Sequence, residues 1–245
     1  MKKKVITCML ALTMVFALTA CGNKNNNDND TKETSKTEQQ EEKDDEEVVD
    51  EDFDEEELDE DSEEETITVE QGTIEGNVYT NASLGIQATI PEGFVLYTDE
   101  QIQEVLGVGA EMMEEANYDV DAIEESGTLY EVMASTEDQS TNLQITIENT
   151  EVSAGMKVSV EQYAKILEKT VTTAYKANGI EVKTSDITEE NKNGLDFQKL
   201  SATFEGATQE YYVTEIDGYM VLFSVTYIGT APESVQQFFD SITAI

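Results

Sequence analysis

Carboxylates are the one reactive group this sequence holds in quantity. Its 245 residues carry 54 Asp and Glu against 14 Lys, and it has no His, Arg or Trp. Without His, neither a Ser-His-Asp nor a Cys-His arrangement can be built. Zinc sites lose their usual imidazole ligands. Without Arg there is no bidentate clamp for phosphate. Paired carboxylates remain able to hydrolyse a glycosidic bond as acid and base. At this density, however, close pairs arise from number alone, and the best sugar-stacking side chain, Trp, is missing. A carboxylate-dependent enzyme acting on an envelope polymer is therefore the alternative reading, and the leading one is non-catalytic.

Three spacings invite sharper readings. Asp50, Asp52, Asp54 and Asp61 fall at positions 1, 3, 5 and 12 of a calcium-loop pattern, but Glu55 stands where the turn Gly belongs. The plain reading is weak, diffuse cation binding by an acidic tract. Phe53 and Leu58 sit among those acids like a partner-binding motif, and a solvated tail is the default. Gly107-Val108-Gly109 starts like a dinucleotide fingerprint, but Met112 takes the third Gly position and a helix precedes it. A helix break is expected there. No cofactor site and no metal site is assigned. Tyr211 and Tyr212 fall on opposite faces of a strand, so one should be packed and the other exposed; a sheet filler is the plain reading and a Tyr ligand patch the sharper one.

The thiols are Cys8 and Cys21. Lys2, Lys3 and Lys4 precede an apolar run from Val5 to Ala20, the layout of an export signal. That run of 16 residues makes about 24 Å of helix at ~1.5 Å per residue, short of a ~30 Å hydrocarbon core. It is read as a removed leader, not a membrane span. Cys8 is then filler, and Cys21 is the one thiol left, so no intramolecular disulfide can form.

Leu18-Thr19-Ala20-Cys21, followed by Gly22, resembles the lipobox of bacterial lipoproteins. The resemblance implies a diacylglyceryl group on the Cys21 thiol, cleavage before it, and a lipid-anchored protein on the extracytoplasmic face of the cell membrane. Two acyl chains on Cys21 supply the stable anchoring that one chain lacks.

Composition divides the chain into residues 1–20 (leader), 21–66 (lipidated Cys and acidic tether) and 67–245 (globular domain). The tract 22–66 holds 23 acids against four Lys and almost no apolar residues, so it is read as a disordered, self-repelling spacer. The domain holds 31 acids against seven Lys. Such a surface repels phosphate backbones and anionic lipid heads, which excludes nucleic acid as a partner and leaves membrane attachment to the lipid.

Within 67–245, strands are expected at 77–80 and 84–90 around Asn81-Ala82-Ser83, at 128–134 and at 143–148. In the last of these Leu143, Ile145 and Ile147 alternate with Gln144, Thr146 and Glu148, which predicts one dry and one wet face. Thr98 with Gln101 opens a helix that buries Ile102, Val105 and Leu106, and 110–125 reads as helical. The best helix spans 160–177, capped by Ser159 and ended by Asn178-Gly179. Asn193-Gly194 and Asp217-Gly218 predict hairpins, and Glu205-Gly206 a break between them. Tyr219, Val221, Phe223, Val225 and Tyr227 share one face of a strand whose other face carries Met220 and Leu222, so this strand should be central. A last helix should start at Thr230, with Glu233 completing a capping box, and bury Val235, Phe238, Phe239 and Ile242.

These elements predict an α+β domain with helices against a mostly antiparallel sheet. Their order, and the phrases Val78-Tyr79-Thr80-Asn81, Pro91-Glu92-Gly93-Phe94 and Ser159-Val160-Glu161-Gln162-Tyr163, resemble the PsbP/Mog1-like fold of small surface lipoproteins. That resemblance implies an accessory or binding module for an unidentified protein or envelope partner, and it carries over no site residue. Cys21 is the one modification site assigned.

Overall fold

The computed structural model describes residues 69–116 and 128–245. The leader, Cys21, the acidic tract with Asp50, Asp52, Phe53, Asp54, Leu58 and Asp61, and the expected helix beyond residue 116 lie outside the described residues. The described elements, in order, are β1 (Thr73–Glu75), β2 (Val78–Asn81), β3 (Ile86–Thr89), β4 (Phe94–Leu96), α1 (Asp99–Glu115), β5 (Leu129–Thr136), β6 (Thr141–Glu148) and α2 (Thr150–Ala154). They continue with α3 (Val160–Ala177), β7 (Lys183–Thr184), β8 (Thr188–Lys192), β9 (Leu195–Phe204), β10 (Ala207–Ile216), β11 (Tyr219–Ile228), α4 (Glu233–Ser241) and β12 (Thr243–Ala244).

All strand pairs are antiparallel. The larger sheet runs β4-β5-β6-β11-β10-β9-β7, with β8 also on β9, and a smaller one runs β1-β2-β3-β12. The fold is therefore α+β, a mostly antiparallel sheet with helices against it. β11 lies between β6 and β10, the central place its two apolar faces predict. One core packs α1 and α3 on the large sheet through Met112, Met113, Tyr163, Leu167, Val171, Tyr175, Leu200, Tyr211 and Leu222. The other packs the small sheet and α4 on the opposite face, through Tyr79, Ile86, Ile145, Phe197, Phe223, Phe238 and Phe239.

Local chemistry explains the element ends. In α3, Gln162 N–H donates to Ser159 Oγ at 3.2 Å and Ser159 N–H donates to Gln162 Oε1 at 3.0 Å, the reciprocal capping box. The helix stops where Gly179 takes φ +72° and Ile180 N–H donates to Tyr175 O at 2.8 Å. Asn193-Gly194, Glu205-Gly206 and Asp217-Gly218 each have positive φ at both residues. That is the signature of two-residue hairpin turns whose twist matches the strands. The middle one, expected as a break, is a hairpin like the other two.

Three expectations need correction. First, α1 opens at the Thr98–Gln101 capping box but runs unbroken through Gly107-Val108-Gly109. Two glycines cost about 2 kcal/mol of helix propensity relative to Ala. Burial of Val105, Met112 and Met113 on one face outweighs it. Second, α4 begins at Glu233 with Pro232 as an N-cap that makes no side-chain bond, so the Thr230 capping box does not form. A residue before proline is pushed out of the helical region, which bars the helix from reaching back past Ala231. Third, β6 has no wet face. Gln144, Thr146 and Glu148 are as buried as Leu143, Ile145 and Ile147, because both sides of the large sheet are covered. For the same reason Tyr211 and Tyr212 do lie on opposite faces, but neither is exposed.

Candidate functional site

β9 and β10 should pair along their whole length, since a tight turn joins two ten-residue strands. They do not. The ladder runs from Phe204–Ala207 to Gln198–Val213 and stops there. Beyond it, Leu195–Phe197 stays with β8, and Thr214–Ile216 stays with β11. The sheet thus forks between two hairpins. An open cleft of about 620 Å³ occupies the fork, lined by Leu195, Asp196, Phe197 and Gln198 on one prong and by Thr214 and Glu215 on the other. Glu189, Glu190, Asn191, Gly194 and Val160 complete its wall.

Two tertiary ties hold the β8–β9 prong away from β10. Asn193 Nδ2 donates to Asp240 O at 3.0 Å in the last turn of α4 and to Ile242 O at 2.7 Å just past its end. Lys192 Nζ, nearly buried, lies 2.8 Å from Asp240 Oδ1 and 3.0 Å from Glu190 Oε1. The ring of Tyr212 carries Lys199 Nζ at 4.8 Å and Lys192 Nζ at 5.5 Å from its centroid, and stacks on Phe239 at 4.1 Å. Tyr212 donates its O–H to Glu190 at 3.1 Å, and Tyr227 donates to Glu210 at 2.9 Å.

Electrostatics follow from these contacts. Burial pushes the Glu190 carboxyl up, but the hydrogen bond and charge of Lys192, with Tyr212 and Lys199, hold it below the usual range. Burial lowers the Lys192 ammonium, yet Asp240 and Glu190 raise it overall. Burial, then Glu210, pushes the Tyr227 hydroxyl up to about 12. Glu190 is thus an ionised partner in a network and a poor proton donor near neutral pH.

The carboxyls that burial drives toward the protonated form are elsewhere. Glu148 accepts the Tyr163 O–H at 2.8 Å on the α3 side of the sheet, and its Oε1 has no partner. Burial pushes it up and prevails over Ser153 and Tyr163, which favour the charged form. Glu131 sits at the bulge between Tyr130 and Val132 and accepts Gly72 N–H at 2.7 Å. Burial pushes it up too, against that N–H. It faces the small-sheet side, beside Tyr79. The two acids therefore serve opposite faces of the β5–β6 hairpin, and neither lines the fork. Sequence reading missed both as buried groups. The signal for Glu148 was its phase with Gln144 and Thr146; Glu131 had none, because a bulge leaves no mark in the pattern.

A second open cleft, about 530 Å³, lies where β4 meets the β5–β6 turn, lined by Phe94, Val95, Thr136, Asp138 and Pro232 among others. The Thr136 hydroxyl and the Ser140 N–H and hydroxyl hold Asp138 below the usual carboxylate range. Among the described residues, no group of three potential ligands is placed to hold a metal, and no helix is long and apolar enough to cross a membrane.

No family model and no curated protein matches the chain. Solved structures do. A solution structure of cyanobacterial PsbP (CyanoP) from Synechocystis sp. PCC 6803 is 12% identical, covers 71% of this chain and 98% of its own, and has a TM-score of 0.45. A crystal structure from Bacteroides thetaiotaomicron VPI-5482 is 11% identical over 70% of this chain and 49% of its own, with a TM-score of 0.36. LpqN of Mycobacterium tuberculosis, described as involved in cell envelope biogenesis, is 11% identical over 64% of this chain and 76% of its own, with a TM-score of 0.30.

Proposed function

We propose that this protein is a lipoprotein anchored through Cys21 on the extracytoplasmic face of the cell membrane. In this reading its domain serves as a non-catalytic interaction or accessory module. The Lys2–Lys4 start, the apolar run to Ala20 and the Leu18-Thr19-Ala20-Cys21 phrase support the anchor. The acidic tract 22–66 then spaces the domain from the surface and disfavours contact with anionic lipid heads.

One observation carries the choice of binding over catalysis. The open fork presents strand edges and carboxylates, of which Glu190 is held ionised by lysines, whereas the acids with raised pKa are sealed on opposite faces of another hairpin. Acid–base hydrolysis needs two carboxylates in one cleft with their pKa values pushed apart. Recognition of a partner needs shape, charge and hydrogen-bonding edges at an accessible place.

The test combines two assays on the full lipidated chain. Incubation with purified peptidoglycan and wall polysaccharide should release no new reducing ends, and crosslinking on intact cells should give one discrete adduct on residues 67–245. Release of reducing ends that is lost in Glu189→Gln/Glu215→Gln would replace this reading with the hydrolase.

A further inference from the structure

The fork has a cause that also names what fits it. Continuing the register in which Gln198 faces Val213, Asp196 would stand directly opposite Glu215. Like charges at facing positions of an antiparallel pair oppose pairing. The ladder ends two residues before that clash, and the Asn193 and Lys192 ties keep the prong on α4 instead. Asp196 is held by Asn191 Nδ2 at 2.7 Å, while Glu215 is exposed on the other prong. The result is two strand edges, each three residues or about 10 Å long at ~3.3 Å per residue, facing one cleft flanked by Asp196 and Glu215.

From this geometry we infer that the fork is a docking site for a short extended segment of a partner protein that carries Lys or Arg. The segment adds its main chain to the unpaired edges of β9 and β10, and a cationic side chain lies between Asp196 and Glu215. Strand addition supplies affinity through the backbone, and the acids select the charge. Charge also excludes the protein's own acidic tract, with 23 acids against four Lys, as well as a second copy of a domain with 31 acids against seven Lys. The inference rests on the interaction-module reading and assigns that module its surface and its partner chemistry.

The probe is the synthetic peptide acetyl-Val-Lys-Val-Lys-Val-amide bearing a C-terminal benzophenone, titrated into the full chain in detergent at 0.15 M salt. Binding should be detectable, and the Glu-for-Lys peptide should bind at least tenfold more weakly. N-methylation of alternate peptide nitrogens weakens binding at least tenfold, because only strand addition needs those donors. Glu215→Lys, which pairs with Asp196 and closes the ladder, weakens binding at least tenfold and slows hydrogen exchange at 195–197 and 214–216. Photocrosslinks fall on 189–198 or 214–216. Glu215→Gln, with its melting temperature checked, should give an intermediate loss and guards against misfolding of the Lys variant. Absence of binding, insensitivity to N-methylation or to Glu215→Lys, or crosslinks confined to 22–66 or to β4 would overturn the assignment. Should a partner then be captured on another face in the cell-surface crosslinking, the module reading stands and the fork alone falls.

Discussion

The two faces of the large sheet are equally dry but chemically unlike. Toward the small sheet and α4, the face is almost wholly apolar: Ile145, Ile147, Phe197, Val221 and Phe223 meet Phe238 and Phe239. Toward α1 and α3, buried Gln144, Thr146, Glu148, Gln209, Ser224 and Thr226 are interleaved with apolar neighbours. There each polar group needs a partner, because an unmet one costs about 1–3 kcal/mol. Tyr163 meets Glu148, Tyr175 and Tyr211 both donate to Gln209, and Gln144 donates to Thr146. Burial thus follows from what lies above a strand, and residue polarity decides only what the burial costs.

The largest expected effect is on the apolar face. Phe223→Ala removes a fully buried ring that sits within 6.3 Å of both Phe197 and Phe238. A loss of about 3–5 kcal/mol in urea unfolding is expected; a loss under about 1 kcal/mol would mean the face repacks freely and is no core. Next comes the polar exception at that face. A Cβ on Gly72 would lie 2.5 Å from the Tyr79 ring and 2.8 Å from Glu131 Oε2. It would also lie 2.8 Å from the backbone carbonyl of Thr80, which cannot swing aside, so Gly72→Ala should cost about 1–3 kcal/mol in urea unfolding; a loss under about 0.5 kcal/mol would mean the strand shifts freely.

The polar face is probed by pH. Burial raises the folded-state pKa of Glu148, so the folded state holds its proton longer than the unfolded chain, whose Glu titrates near ~4.3. This group's favourable contribution is present below that value and fades as pH rises through the raised folded pKa. Glu148→Gln keeps an acceptor for the Tyr163 O–H and removes the titration. The variant minus wild-type stability difference should climb as pH rises from 4 through that window. A flat difference would place the carboxylate in a solvated site. The smallest effect belongs to neither face. Lys165→Met breaks the exposed 2.9 Å pair with Glu161 on α3 and should change stability by less than about 0.5 kcal/mol.

Much of the fold was legible. The stripe of α3, its Ser159 cap and its Gly179 stop agree with one another at every level, and the two apolar faces of β11 announced a central strand. Gln144, Thr146 and Glu148 misled because polarity reports exposure only when one side of a sheet is free. Two apolar-striped helices plus a separate hairpin, each needing a surface, were the clue that neither side was. The β5 bulge that turns Glu131 toward the small sheet lies in an unmarked stretch. The fork was not legible for a sharper reason. Glu205-Gly206 reads from the sequence as a break and is instead a hairpin turn, and the pairing it starts ends through the facing acids Asp196 and Glu215 together with a contact between Asn193 and α4, 47 residues away in sequence. Only the facing positions of Asp196 and Glu215 hint at it, and those appear once the register is known.

Cys21 is the residue that would put an acidic domain at a membrane it otherwise repels. The direct measurement is metabolic labelling with a radiolabelled fatty acid, followed by fractionation of cells expressing the wild type or Cys21→Ala. The wild type should carry label and sediment with membranes, resist extraction by high salt, and yield to detergent. Cys21→Ala should carry no label and either appear in the medium or retain its leader. A Cys21→Ala protein that is cleaved, unlabelled and still bound to membranes would show that lipid on Cys21 is not the anchor.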